Sequence, residues 1–297
     1  MRRYSAPLVF LLPATLLIAL FFVAPAVTTL YLSLTDISTI TFRHPRWIGL
    51  GNYYSLLRDP FIGKILLNTA HYVGFTLLFN VGMGLLLALL SSSVRERYGN
   101  QIRAVWLLPR ILPPVVFVVI LQGLSREAPY GLISNLLGTS RNWITAQPWN
   151  VIILANGLVG ASFGMLLFTS AIRAIPQDLF YAAAVDGATT GQTVRRVVLP
   201  LLRWPILFVT AYQTLSLLTS FEYILLLTNG GPGFYTTTVW SLHAYQLALS
   251  NYFGNVQFGL GAAMAAVLVV IGIVVSLFYL RIFNFRAQVG EPKVEVN

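Results

Sequence analysis

The sequence predicts an all-α, polytopic integral membrane protein with six transmembrane helices. Of its 297 residues, 57% are hydrophobic and only 9% are charged, and the mean hydropathy is +0.75. A soluble domain has about 45–50% apolar and about 25% charged residues, so the composition excludes a soluble globular domain and a disordered chain. Six apolar runs are long enough to cross a bilayer, because a spanning helix needs roughly 20 residues. Within a single domain of residues 1–297, these predicted spans lie near residues 8–32, 68–92, 104–124, 150–172, 204–228 and 258–281.

The first predicted span has a rival interpretation as a targeting segment. Its prolines are tolerated, because neighbouring helices satisfy the backbone groups that a proline leaves free in a membrane. The Ala24-Pro25-Ala26 sequence could instead be the cleavage site of a signal peptide. The apolar core is long for a signal peptide and continues past that site through Val27 and Leu30, which favours a retained span.

The basic residues around the spans predict the orientation. Thirteen of the nineteen lysines and arginines, Arg110 among them, flank the side that holds both termini, and six flank the other side. Because cytoplasmic loops carry the excess of basic residues, we expect both termini in the cytoplasm. The loop at 229–257 has no Lys or Arg and is expected outside. The net charge of +10 is therefore an orientation signal, and we expect contact with membrane lipid and no nucleic-acid partner.

The chain lacks the residues of several catalytic and metal-binding classes. It has no cysteine, and His44, His71 and His243 have no metal-ligand spacing. No nucleophile–base pair, metal set or paired carboxylates stand out, so we expect a non-catalytic subunit with no cofactor of its own. Gly63-Lys64 is the only Gly-Lys pair and lacks the other residues of a nucleotide-binding P-loop. Uphill transport would therefore need a separate ATPase or an ion gradient.

The segment between the fourth and fifth spans, residues 173–203, is expected on the cytoplasmic side and is too long for a turn. Pro176 suits the first turn of a helix, and residues 177–185 are mostly good helix formers. Asp186-Gly187 then interrupts the helical pattern. The sequence therefore predicts one short helix here, followed by a break.

A second short helix is predicted after the break. Thr189 with Gln192 three residues later is typical of a capping box, and the helix is expected to end at Pro200. Two short helices joined by a glycine would form a rigid knob at the membrane surface. The alternative is an amphipathic segment that lies among the lipid headgroups.

Residues 174–200, AIPQDLFYAAAVDGATTGQTVRRVVLP, resemble the conserved cytoplasmic loop of permease subunits in binding-protein-dependent ABC importers. That family's pattern is Glu-Ala-Ala, three residues, Gly, nine residues and Ile-x-Leu-Pro, and the spacing matches here throughout. Tyr181 stands where the family usually has Glu. The resemblance implies that the loop is a coupling helix, which docks in a cleft of a separate ATPase subunit. The implied coupling residues are Tyr181, Ala182, Ala183, Asp186, Gly187, Ala188, Leu199 and Pro200.

Three further segments resemble sugar permeases of the same family. Residues 220–238 (SFEYILLLTNGGPGFYTTT), with Thr-Asn-Gly-Gly-Pro at 228–232, resemble the segment after span five. Residues 47–53 (WIGLGNY) resemble the opening of the first external loop, and 252–263 (YFGNVQFGLGAA) resemble the start of the last span. The resemblance is greatest to the first permease subunit of maltose and glycerol-phosphate importers. It implies a prokaryotic inner-membrane location, a second homologous permease, two ATPase subunits that bind ATP and Mg²⁺, and an extracytoplasmic sugar-binding protein.

Polar residues in the spans predict a path for the cargo. In span five, Gln213, Ser216 and Ser220 share one helix face, which is expected to turn away from lipid. The alternative is that these side chains make interhelical hydrogen bonds and that glycines in span four allow close packing. The resemblance implies that the sugar cavity is lined by Gly160, Phe163, Gln213, Ser216, Leu217 and Ser220.

Two energy sources remain open. The resemblance implies an ATP-driven importer of a mono- or oligosaccharide or a related polyol. The alternative is a gradient-driven secondary transporter of a small polar solute, which would need buried ionisable residues and an inverted repeat. Glu222 is the only acid within a predicted span, and no repeat is evident. The ATP-driven importer is therefore favoured, with the kind of sugar left open.

Overall fold

A computed structural model describes residues 5–250 and 254–283, which are almost entirely helical and contain no β-strand. The predicted all-α fold class is confirmed. The helices are α1 (Ser5–Ile18), α2 (Ala24–Ser33), α3 (Gly51–Arg58), α4 (Ile62–Ser93), α5 (Glu96–Ile111), α6 (Pro114–Leu124), α7 (Leu132–Leu136), α8 (Trp143–Ala146), α9 (Pro148–Arg173), α10 (Gln177–Val185), α11 (Thr190–Thr193), α12 (Leu199–Leu201), α13 (Arg203–Thr219), α14 (Glu222–Thr228), α15 (Trp240–Leu249) and α16 (Phe258–Ile282). Two π-helical turns, Ala19–Val23 and Val194–Val198, join α1 to α2 and α11 to α12.

The chain divides into two compact units. One comprises residues 1–64 and 240–271, and the other comprises residues 65–239 and 272–297. The loop at 174–200 and all the predicted cavity residues belong to the second unit. Both chain termini, whose basic residues entered the orientation argument, and the beginning of the 252–263 segment lie outside the described residues.

Four helical segments in the described part of the chain are long and apolar enough to cross a membrane. They are Phe10–Ser33, Ile62–Ser93, Pro148–Arg173 and Phe258–Ile282, and they contain most of the first, second, fourth and sixth predicted spans. A bent pair, α5 with α6, raises the number to five. The predicted count of six therefore depends on how the third and fifth spans are built.

The third predicted span, 104–124, consists of two helices that meet at a sharp bend. Helices α5 and α6 meet at an angle of 101° around Leu112 and Pro113, whose backbones are extended, with ψ near 139° and 138°. A residue that precedes a proline is driven out of the helical region by the proline ring, and two consecutive prolines do this twice. Hydropathy alone ignores this signal, because a hydropathy average registers apolar content and not backbone conformation.

The fifth predicted span, 204–228, is also divided. Helix α13 ends at Thr219, Ser220 is extended with ψ 128°, and α14 begins at Glu222. Neither proline nor glycine lies at this break, so no local signal in the sequence marks it. The break brings the hydroxyl of Ser220 within hydrogen-bonding distance of α4 and α9.

Helix α9 lies at the centre of the second unit. Helices α5, α13 and α14 pack against it, and its residues Ile152, Met165 and Phe168 are completely buried. Helix α4 approaches it very closely at Gly84. A Cβ atom built on Gly84 would lie 2.9 Å from the carbonyl oxygen of Ala161 and 3.0 Å from the amide nitrogen of Met165.

Replacing Gly84 by Ala is expected to destabilise the second unit by about 1–3 kcal/mol, because a methyl group would push two helix backbones apart. The control is Gly82→Ala on the same helix, where a Cβ would have no atom within 4 Å. Thermal denaturation of the purified protein in one detergent measures both changes. Equal midpoints for the two variants would contradict the close approach of α4 and α9.

Candidate functional site

The first candidate site is the loop at 174–200, in which the predicted first helix is confirmed as α10. Pro176 is extended and precedes the helix, and Gly187 ends it with a positive φ of +67°. The N–H of Ala188 donates to the carbonyl of Ala183 at 2.9 Å, and the N–H of Gly187 donates to that of Ala184 at 3.1 Å. This pair of bonds is a Schellman motif, which satisfies the free carbonyls at a helix end and requires a left-handed residue.

The predicted capping box after the break is also confirmed. The N–H of Gln192 donates to the Thr189 hydroxyl, and the N–H of Thr189 donates to the side-chain carbonyl of Gln192 at 2.8 Å. The predicted end at Pro200 is wrong, because the helical path continues through Val194–Val198 into α12. The N–H of Leu199 bonds five residues back to Val194, and this wider turn makes room for a proline that would break a regular α-helix.

The inner side of the loop is anchored in the apolar core of the second unit. Ile175, Val198 and Leu202 are buried together with Phe168 of α9. Because residues from both ends of the loop enter one cluster, the loop is fixed to α9 and α13 at once. This anchoring supports the predicted knob rather than a segment that merely lies among lipid headgroups.

The outer side of the loop carries exposed apolar side chains. Tyr181 is 65% exposed and Val185 is 87% exposed, and they share one face of α10 because they are four residues apart. Beside this face, between the end of α4 and the loop, runs a groove of about 800 Å³. Of the predicted coupling residues, Tyr181, Ala182, Asp186, Gly187 and Pro200 are exposed, and Ala183, Ala188 and Leu199 are half-buried.

The second candidate site is the predicted cavity lining, where Gln213 and Gly160 meet. The side-chain N–H of Gln213 donates to the carbonyl oxygen of Gly160 at 2.9 Å, and its side-chain oxygen accepts from Asn80 at 3.1 Å. Gln213 is 5% exposed and Asn80 is completely buried. A Cβ on Gly160 would lie 2.2 Å from the Asn80 amide nitrogen, so only glycine leaves room for this network.

Ser220 belongs to a second polar cluster nearer the N-terminal end of α9. Its hydroxyl lies 3.2 Å from that of Tyr72, and Asn156 donates to the Tyr72 hydroxyl at 2.9 Å. Tyr72 is completely buried, and Asn156 is 8% exposed. These bonds tie the break in span five to α4 and α9.

The remaining cavity residues have different exposures. Phe163 is half-buried and packs against Tyr212, with ring centroids 4.6 Å apart. Ser216 is exposed, whereas Leu217 is buried at 3%. The predicted polar face of span five therefore has an exposed part at Ser216 and a buried, hydrogen-bonded part at Gln213.

Sequence analysis missed the contribution of α4. Tyr72, Thr76 and Asn80 recur every fourth residue on one face of this apolar helix, and all three are completely buried. Polar residues at this spacing in a membrane helix indicate a face turned away from lipid. The same rule that selected Gln213 and Ser220 could have found them.

The Gly-Gly-Pro segment after span five forms a tight, self-bonded loop. Asn229 and Gly230 have positive φ values of 50° and 88°. The Thr237 hydroxyl donates to the carbonyl of Gly231 at 2.7 Å, and the amide of Asn68 on α4 donates to the carbonyl of Tyr235 at 2.8 Å. At the tip of the loop, Phe234 is 85% exposed.

In residues 5–250 and 254–283, no three His, Asp or Glu side chains come together as a metal site.

One known family matches the part of the chain that contains both the 174–200 loop and most of the helices. The profile of the family described as "Binding-protein-dependent transport system inner membrane component" matches residues 80–288, which is more than half of the chain. The chain belongs to this family. It is therefore a multi-pass subunit of a transport system in the inner membrane, and the resemblance of the 174–200 loop is confirmed at the level of the family.

Individual relatives match over nearly the whole chain. A trehalose/maltose transport system permease of Thermococcus litoralis is 28% identical, covering 93% of this chain and 92% of the relative. A probable ABC transporter permease of Pyrococcus horikoshii is 31% identical, covering 92% of this chain and 94% of the relative. A sulfoquinovosyl glycerol permease of Agrobacterium fabrum is 28% identical, covering 93% of this chain and 89% of the relative.

Solved structures share the fold. A chain from a bacterial ABC transporter that imports the acidic polysaccharide alginate superposes with a TM-score of 0.80 at 24% identity, covering 98% of each chain. A second alginate transporter structure, in complex with an alginate-bound periplasmic protein, gives 0.79 at 25% identity over 94% of each chain. The broken third and fifth spans thus belong to a fold that occurs in assembled importers.

Proposed function

We propose that the chain is the permease subunit of an ATP-driven importer that carries a sugar, as a mono- or oligosaccharide or a related polyol, across the inner membrane. The observation that carries this proposal is the anchored α10 knob, with exposed Tyr181 and Val185, in a chain of this family that lacks a P-loop. A knob that is fixed to two membrane helices and presents apolar side chains suits docking to a separate ATPase.

The proposed partners follow from the same features. Two ATPase subunits bind ATP and Mg²⁺, a second homologous permease completes the path, and an extracytoplasmic sugar-binding protein delivers the cargo. The similar alginate transporter that was solved with a periplasmic protein supports the last of these. Family membership favours this assembly over a gradient-driven secondary transporter.

The names of the relatives support a carbohydrate cargo without selecting one. They include permeases for trehalose and maltose, sulfoquinovosyl glycerol and arabinooligosaccharides. The proposed cavity of Gly160, Phe163, Gln213, Ser216, Leu217 and Ser220 offers an amide, hydroxyls and an aromatic face. Such groups suit sugars, which present hydroxyls on one side and apolar C–H groups on the other.

Purification of the tagged chain from its native cells tests the proposed function. We expect an ATPase to co-purify in mild detergent, and ATP hydrolysis by the complex to rise when a sugar-loaded binding protein is added. Uptake by the chain alone, driven by an imposed proton or sodium gradient in liposomes without ATP, would contradict the proposal.

Labelling of single cysteines tests the proposed orientation, in which both termini and α10 are cytoplasmic. Thr190 is exposed beside α10, and Phe234 is exposed at the tip of the loop after span five. Because the chain has no cysteine, Thr190→Cys and Phe234→Cys each introduce a unique thiol. In intact spheroplasts an impermeant maleimide should label only Phe234→Cys, and after permeabilisation it should label both. The reverse pattern would invert the topology.

A further inference from the structure

Arg110 does not lie at a cytoplasmic helix end, where the charge count placed it. Its guanidinium donates to the hydroxyl of Ser162 at 3.2 Å. Ser162 is near the middle of α9, 11 residues before Arg173, and this separation is about 16 Å along a helix. Helices α5 and α9 pack side by side, so Arg110 is carried to the middle of the membrane, and the basic excess on the cytoplasmic side falls by one.

The contact with Ser162 leaves most of the guanidinium free. The Ser162 hydroxyl donates to the carbonyl of Val159 at 2.6 Å, so it accepts from Arg110 through a lone pair. An arginine has five N–H donors in a planar fork that fits a carboxylate, sulfonate or phosphate. Arg110 is exposed, and among the described residues no carboxylate lies within 4.0 Å of its guanidinium.

The surroundings of Arg110 turn it away from lipid. It lies two residues before the bend between α5 and α6, where Leu112 and Pro113 have extended backbones. Non-helical backbone at membrane depth is tolerated only inside protein or beside a water-filled cavity. A charged side chain at this depth follows the same rule. Ser162 also directly precedes Phe163, one of the proposed cavity residues.

Glu222, the acid of the fifth predicted span, forms no ion pair with Arg110 among the described residues. It lies in the first turn of α14, where the helix N-terminus stabilises a negative charge. An exposed positive group at this depth, without a paired carboxylate, is suited to bind an anion. We infer that Arg110 binds an anionic substituent of the cargo, so that the imported sugar carries a carboxylate, sulfonate or phosphate group.

This inference rests on the proposed sugar path and is tested on the assembled complex in nanodiscs. The probes are galacturonate oligosaccharides of one to five residues and their methyl esters, which lack the negative charge and carry one additional methyl group on each residue. We expect the wild-type complex to bind at least one acid about tenfold or more tightly than its ester, because a charge-assisted bidentate bond is lost in the ester. Arg110→Gln should abolish this preference, and Arg110→Lys should restore part of it.

Controls separate the inference from its rivals. Arg126→Gln removes an equal charge from an exposed loop residue and should keep the preference. Equal affinity of the wild type for acid and ester, or an unchanged preference in Arg110→Gln, overturns the role of Arg110 and leaves the sugar path intact. If Arg110→Gln and Glu222→Gln weaken both probes equally, the two residues form an ion pair and the inference is wrong. If neither acid, ester nor maltose binds the wild type, the sugar path itself fails and the inference falls with it.

Discussion

Replacing Gly187 by Val is expected to lower cargo-stimulated ATP hydrolysis by the importer about tenfold, because a left-handed conformation costs an L-residue roughly 1–2 kcal/mol. Gly187 has φ +67° and ends α10 through the bonds of the Schellman motif. Relief of the strain requires these bonds to open, and Tyr181 and Val185 then lose their fixed orientation. Hydrolysis by the purified complex, with and without sugar-loaded binding protein, measures the effect.

The matched control for this change is Gly191→Val. Gly191 lies within α11, has no positive φ, and a Cβ there would have no atom within 4 Å. We expect this variant to retain stimulated hydrolysis close to the wild-type rate. Equal rates for the two variants, in complexes that keep their ATPase, would show that the cap of α10 has no part in coupling.

Replacing Gln213 by Leu is expected to lower cargo affinity at the membrane site about tenfold, because a bound sugar would lose an amide donor and acceptor, and such a lost bond costs roughly 1–3 kcal/mol. The change leaves the buried amide of Asn80 and the carbonyl of Gly160 without the bonds that Gln213 supplies. Uptake of two different sugars by the assembled complex measures the loss.

The two roles of Gln213 predict different patterns. If Gln213 contacts cargo, the complex assembles normally and the loss differs between the two sugars. If Gln213 serves only helix packing, assembly is poor and both sugars are lost equally, which would remove Gln213 from the proposed cavity. Ser216→Ala is the control, since Ser216 lies on the same helix but is exposed. We expect it to leave assembly unchanged.

The loop at 174–200 was largely predictable because its signals are local. Pro176 before α10, Gly187 after it and the capping box of Thr189 with Gln192 each act within a few residues. The exception is Pro200, which a helix interior normally rejects. The helix accommodates Pro200 because a π-helical turn precedes it, and no residue pattern in this segment predicts such a turn.

The interior of the spans was less predictable because its geometry depends on distant partners. A hydropathy average measures how long an apolar segment is and does not detect a bend within it. The bend at the proline pair near Leu112 was therefore not predicted. The break at Ser220 is held by Tyr72 and Asn156, which lie 148 and 64 residues away in the chain. Which polar side chains of one helix meet those of another follows from packing, which a single sequence does not specify.

The way in which α10 is mounted has a mechanical consequence. Only residues 174–176 separate it from α9, and the chain from Thr190 to Thr219 is helical almost without interruption. Ile175 on one side and Val198 and Leu202 on the other are buried in the same core. Neither connection contains a long flexible segment, so α10 does not move independently of α9 and α13 and instead transmits its motion to them. A displacement of a few ångströms imposed at Tyr181 becomes a torque on α9 and α13, the two helices whose Gly160 and Gln213 are joined by a hydrogen bond.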